Sequence, residues 1–162
     1  MSVFVQIPGI TGGATEKNHT GWIMVDSLQF GVARNLNNPL GHATSREAGQ
    51  PNVSEIHCTK SMDNASIELF GWSVAEFLTK KLQIDVTSTG RTDKPFASYT
   101  LTNCVISGYS VSCAGTNAQP TESLSFNFTQ LEMKYVTYGA DNVTPTSTVV
   151  KGYDLALGQP TS

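Results

Sequence analysis

The stretch from Ser123 to Tyr138, SLSFNFTQLEMKYVTY, constrains the fold more than any other part of the chain. Leu124, Phe126 and Phe128 alternate with Ser125, Asn127 and Thr129, the period of a strand with one buried face. At Gln130 the phase slips. From there Leu131, Met133 and Tyr135 form the apolar set, opposite Gln130, Glu132 and Lys134. In a straight strand a one-residue slip would turn half of the apolar residues to the wrong face. The pattern therefore predicts one long strand with a bulge or bend near Thr129–Gln130. A strand of about sixteen residues is far longer than usual, so it is expected to pass from one sheet to another or turn a barrel corner.

The rest of the chain supplies shorter pieces of the same kind. Residues 2–10 read as a strand stopped by Pro8-Gly9. Residues 21–32 form a second, with Trp22, Met24, Leu28, Phe30 and Val32 on one face, Ile23, Val25, Ser27 and Gln29 on the other, and a bend at Asp26. Arg34–Asn52 shows neither helical nor strand period and is rich in Asn, Pro and Gly. So long an irregular segment inside a compact domain is usually either functional or disordered, and it is expected to protrude as an arm rather than form a floppy linker. Val53–Lys60 is a further strand. Asp63 and Ser66 are both candidate helix caps, and Glu68 suits a first turn. A helix is expected over roughly 64–75, weakened by Gly71. Lys81–Thr87 and Phe96–Cys113 flank a turn cluster at Ser88–Pro95 and read as a long hairpin. Thr148–Leu157 closes the series. Eight or nine strands with one helix place the chain in the mainly-β class, as a β-sandwich or small barrel in a single domain over 1–162.

Composition narrows the function. Charged residues are 14% of the 162, against about 25% in ordinary soluble domains. A neutral, hydroxyl-rich surface of this kind suits contact with further copies of the same chain. The net charge is −3 and no Lys/Arg cluster is longer than Lys80-Lys81, which argues against binding a phosphate backbone. Met1 leads directly into VFVQI without a signal-peptide pattern, and no apolar run approaches membrane-spanning length. Cys58, Cys104 and Cys113 are an odd set with no C-x-x-C, so reduced thiols are expected. The N-x-S/T triplets, at Asn18, Asn52, Asn64, Asn127 and Asn142, are read as chance in an Asn-, Ser- and Thr-rich chain.

No catalytic constellation emerges. Ser73 in Gly71-Trp-Ser-Val-Ala75 lies inside the expected helix rather than on a nucleophile elbow. His57 and Cys58 are strand neighbours and point to opposite faces, so one metal cannot readily take both. His19 and His42 fall in loops. Gly9–Thr15 lacks the Gly-Lys ending of a phosphate loop. Neither an enzyme nor a cofactor is expected.

Read as ordered motifs, the strands carry a resemblance. His19-Thr-Gly-Trp-Ile23, Ser27 through Gly31, Ser54-Glu-Ile56 with Thr59-Lys60 and Met62-Asp63, Ile106-Ser107 with Tyr109-Ser110, Thr121–Phe126, the Tyr135 end of that stretch, and Gly152-Tyr-Asp-Leu155 resemble the Hcp family. These haemolysin-coregulated proteins form the inner tube of bacterial type VI secretion systems. The resemblance spans nearly the whole chain and departs most at Ser66-Ile67 and Trp72–Lys81. It implies a two-sheet β-barrel with one flanking helix, assembling as a homo-hexamer into rings with a wide channel. It implies ring stacking into a tube, driven outward by contractile sheath proteins beneath a spike protein, with secreted effectors held in the channel. It implies no nucleic acid and no membrane insertion, with assembly in the bacterial cytoplasm and secretion without a cleaved signal. The rival readings are a secreted β-sandwich binding module of adhesin or carbohydrate-binding type, a small hydrolase or toxin, and a phage tail-tube protein.

A ring repeats one contact between unlike patches until it closes. On that basis Arg34, Leu36, Leu40, His42 and Arg46 in the arm are candidates for ring-to-ring contact. Val149, Lys151, Tyr153 and Leu155 in the last strand are candidates for subunit contact. Ser27 and Gln29, opposite Leu28 and Phe30, are candidates for the channel wall.

Overall fold

A computed structural model describes residues 1–37, 47–75, 78–116 and 118–161. Among them are twelve strands and one helix. In chain order these are β1 (Ser2–Gln6), β2 (Ile23–Val25), β3 (Ser27–Gln29), β4 (Val32–Asn37), β5 (Glu47–Val53) and β6 (Ile56–Ser61). There follow α1 (Ser66–Val74), β7 (Lys80–Ser88), β8 (Arg91–Ser112), β9 (Thr121–Asn127), β10 (Gln130–Tyr138), β11 (Pro145–Asp154) and β12 (Gln159–Pro160).

The strand that organises the molecule is β8. Its first half pairs with β7 and β10 in a sheet ordered β12-β11-β10-β8-β7-β1-β2, while its second half pairs with β9 in a branch ordered β3-β6-β9-β8. The crossing lies at Asn103, whose φ of 50° is one of the left-handed conformations that asparagine tolerates. The expected single strand over 123–138 is instead two, β9 and β10, broken at Phe128–Thr129. The two changes of sheet coincide: Asn103 Nδ2 donates to Thr129 Oγ1 at 3.2 Å, and the Thr129 amide donates to the Thr102 carbonyl at 3.1 Å. Phe128 is buried at the corner. The phase slip at Gln130 is thus the expected passage from one sheet to another, made by a break between two strands rather than by a bulge within one. The two sheets share β8 but do not close, so the barrel expectation is replaced by an open sandwich.

The same logic corrects the second strand. Ile23 and Val25 are buried and Met24 is exposed, the reverse of the expected facing, because the bend at Asp26 moves the chain from the main sheet (β2) to the second (β3). Beyond the bend Leu28 packs on the core and Ser27 and Gln29 face out. The expected 88–95 turn cluster shrinks to Thr89-Gly90, and β8 begins at Arg91. The arm is not irregular. β4 and β5 form a separate two-stranded hairpin, joined at its base by the Ser54 amide to the Gly31 carbonyl and the Gly31 amide to Ser54 Oγ, both at 2.8 Å. Val53 belongs to this hairpin rather than to β6. With β4 exposed along its whole length, it had no buried face to impose a period.

The helix is shorter than expected, and neither candidate cap caps it. Ala65 occupies the cap position without a side-chain bond. Asp63 Oδ1 accepts from the Ala65 amide at 3.0 Å, one residue too early, and Ser66 is already helical and buried. Leu69 and Ala65 dock the helix on a core that draws Val5, Ile23, Ile56, Leu82, Ile84, Leu101, Leu124, Phe126 and Leu131 from both sheets. Gly71 has open space where a Cβ would stand. Gly71→Ala should therefore raise stability by about 1 kcal/mol, the propensity difference alone, read from the denaturant midpoint at unchanged slope.

Candidate functional site

Enzyme-like features do not converge. Ser73 Oγ donates to the Phe70 carbonyl at 2.7 Å within the helix. His57 is exposed and Cys58 buried, on opposite faces of β6 as expected. Burial pushes the Cys58 thiol up to about 12, which keeps it protonated, and the three cysteines are unbridged. His19 is a packing hub: stacked on Phe4 at 4.4 Å, edge-on to Trp22 at 4.8 Å, its Nε2 3.1 Å from Asp85 and its Nδ1 on Glu16. Among the described residues no group of three or more His, Cys, Asp and Glu could hold a metal ion.

The most unusual chemistry is buried. Lys60 and Glu122 face each other across β6 and β9, both fully buried, with Lys60 Nζ donating to Glu122 Oε2 at 2.6 Å. Lys60 also donates to the Ser61 carbonyl and to Asp63 Oδ1, each at 2.9 Å, and Ser66 Oγ donates to Glu122 Oε2 at 2.8 Å. The Tyr109 hydroxyl donates to the other carboxylate oxygen. Burial raises the Glu122 carboxyl, but the bonds from Lys60, Tyr109 and Ser66 outweigh it and leave it below the ordinary 4.5. Burial, with Glu122 alongside, pushes Tyr109 up to about 12. The cluster ties the start of α1 to the second sheet. Sequence reading passed it over, although a signal was present: Lys60 continues the buried phase of Ile56 and Cys58, and Glu122 that of Leu124 and Phe126.

The outer face of the second sheet is of opposite character. Register places Ser27, Thr59, Ser123 and Ser110 in one row across four strands, and Gln29, His57, Ser125 and Gly108 in the next. Ser61, Thr121 and Ser112 form a third row. Ser27 and Thr59 hydroxyls are bonded, as are those of Ser107 and Ser125 at 2.9 Å. Apart from His57, the rows carry only hydroxyls, an amide and a glycine. Ser27 and Gln29 are thus brought onto one hydroxyl-lined wall, with the carboxylates of Glu55 and Asp26 accepting from Ser107 Oγ at 2.8 Å and Ser61 Oγ at 3.3 Å.

The remaining candidates lie elsewhere. Arg34 and Leu36 are exposed on β4; Leu40, His42 and Arg46 fall outside the described residues. Val149, Lys151 and Tyr153 share one face of β11, opposite Tyr135, Met133 and Leu131 of β10. Leu155 lies past the strand and packs on the core, its amide donating to the Thr129 carbonyl at 2.8 Å. On its outer side β11 is met only by the short β12 at Tyr153 and Asp154 and by the Thr161 amide on the Gly152 carbonyl at 3.1 Å, leaving Pro145–Lys151 an open edge among the described residues.

An open sandwich with a projecting hairpin, a bare strand edge and exposed apolar residues on both helix and sheet is built to be covered by other protein: it is an assembly subunit. The family model described as "Type VI secretion system effector, Hcp" matches residues 4–135. The chain belongs to the Hcp family and is a type VI secretion tube protein. Solved structures share its fold. A type six secretion system protein superposes with a TM-score of 0.89 at 20% identity, over 99% of both chains. Hcp1 from Salmonella typhimurium gives 0.79 at 19% identity over 98% of this chain and 97% of that one. A type VI secretion system effector from Yersinia pestis gives 0.74 at 19% identity over 94% and 98%. No curated protein sequence matches at a significant level.

Proposed function

We propose that the chain closes into a six-membered ring, that the rings stack into a tube, and that the hydroxyl-lined wall bearing Ser27 and Gln29 faces the channel. The family match over residues 4–135 carries this reading. A wall dominated by hydroxyls suits passage of folded cargo, because it offers little apolar surface, and its carboxylates Glu55 and Asp26 are engaged by the wall's own serines. Secreted effectors are the cargo, and contractile sheath and spike proteins are the partners that move the tube. The protein assembles in the bacterial cytoplasm and leaves the cell when the system fires. No helix among the described residues is long and apolar enough to cross a membrane. The hairpin β4–β5, exposed along β4, supports a contact with a neighbouring ring through Arg34 and Leu36, with Leu40, His42 and Arg46 as further candidates. The reading needs no catalytic step and no cofactor.

The test is assembly. Light scattering should give a species near six times 17.4 kDa. Deleting residues 36–48 should leave a species of six shortened chains and impair tubes in electron micrographs. Normal tubes from the deleted protein would remove the arm from the stacking contact.

A further inference from the structure

The ring reading requires each subunit to bury two unlike patches, and the surface carries two. On α1, Ile67, Phe70 and Val74 recur at helical spacing and are 70%, 52% and 66% exposed, while Leu69 on the opposite stripe is buried. Val111 at the end of β8 adds to this apolar area. Its one acidic residue is Glu68, and the last turn of the helix holds no base. The second patch lies on the core-side face of the main sheet. That face is buried at Leu101 and Leu131, continues along the register to Tyr99, where Phe30 packs edge-on at 5.6 Å, and then to Met133, Ala97, Tyr135 and Val149, which no second sheet roofs among the described residues. Lys151, paired with Met133, stands on the same face.

The two patches sit at opposite ends of β8: Tyr99 is twelve residues from Val111, at most about 40 Å of strand. Both are on rigid elements, and neither covers the other within one chain. Their charges are complementary, and among the described residues neither Glu68 nor Lys151 takes part in an ion pair; the pairs there are formed by His19 and Lys60. The Tyr153 hydroxyl donates to Gln50 Oε1 of the arm at 3.4 Å, and among the described residues Tyr135 and Val149 remain more than half exposed.

We infer that the α1 stripe of one copy seats on the unroofed β8–β10–β11 face of the next, with Glu68 toward Lys151. This inference rests on the ring reading and specifies its seam. Such a contact is heterologous: its repetition closes a ring, and its two halves can be broken separately.

The experiment breaks each half with charge of the same sign. One variant carries Ile67→Glu and Val74→Glu, the other Tyr135→Glu and Val149→Glu; all four positions are exposed, and circular dichroism with thermal melting checks each fold. If either Glu pair unfolds the chain, serine at the same positions replaces it. Each variant alone should run at 17.4 kDa, and an equimolar mixture should form a species of twice that mass through its single intact seam. Because one seam is weaker than a closed ring, a second readout uses a Cys113→Ser background with Glu68→Cys and Lys151→Cys. Oxidation should then give a ladder of linked chains. The inference is overturned if either variant keeps the wild-type mass, if either pairs with itself, or if no ladder forms while the native mass stays sixfold. A wild-type protein that is monomeric at every concentration instead defeats the ring reading beneath it.

Discussion

Replacing Lys60 by methionine should cost about 3–5 kcal/mol of folding stability, the range for breaking a fully buried ion pair from one side. Methionine fills the volume of the lysine stem, so the loss is electrostatic rather than a cavity. Glu122 would keep the hydrogen bonds from Ser66 and Tyr109 but lose its counter-charge in a site closed to water. The pH dependence should change as well. In the wild type the Glu122 carboxyl lies below its ordinary value. Its contribution is therefore complete above about pH 4.5 and is lost as pH falls through the folded value. Without Lys60, burial is opposed only by the bonds from Tyr109 and Ser66, so the carboxyl should rise from its wild-type position and the variant should lose less stability than the wild type on acidification. Lys60→Met with Glu122→Leu should recover most of the loss, since two apolar residues facing each other across β6 and β9 need no partners. Chemical denaturation of the three proteins from pH 4 to 8, at fixed protomer concentration, provides the check. A loss below about 1 kcal/mol for Lys60→Met would show that the pair is held in a wetter site than its burial indicates.

Phe126→Ala should cost a similar amount, about 3–5 kcal/mol, by a different mechanism. Phe126 is buried between Ile56 of β6 and Ile106 of β8, and its ring lies 6.5 Å from that of Trp72 in the helix. Truncation would open a cavity where both walls are sheet and the lid is α1, leaving little freedom to collapse. Phe126→Leu, which keeps most of the volume, should cost less than half as much. The quantity to measure is again the shift in denaturant midpoint. A larger fall in near-ultraviolet ellipticity than in far-ultraviolet ellipticity would locate the damage in the Trp72 packing.

These two effects differ in how far the sequence foreshadowed them. Phe126 belongs to the clean alternation of Leu124, Phe126 and Phe128, and its burial follows from period alone. Lys60 and Glu122 also stand in buried phase, but a lone charge in an apolar row has no meaning until its partner is known, and the partner is sixty-two residues away. The arm failed to show as strands because β4 is exposed along its length, so no side had to be apolar. The seam is invisible for a related reason: Ile67, Phe70 and Val74 read as an ordinary helical stripe, and only docking through Leu69 decides which stripe is left outside.

The amino-acid order by itself determined that this chain is mainly strand with one helix, that Ser27 and Gln29 oppose Leu28, and that something changes at Gln130. Side-chain period is a property of neighbouring residues, so it survives without the fold. The tertiary structure decided which strands pair, that β8 rather than 123–138 runs through both sheets, and that the sandwich stays open. It also decided that Lys60 meets Glu122. These are contacts between distant segments, fixed by hydrogen-bond register and by burial against partners that no local pattern names.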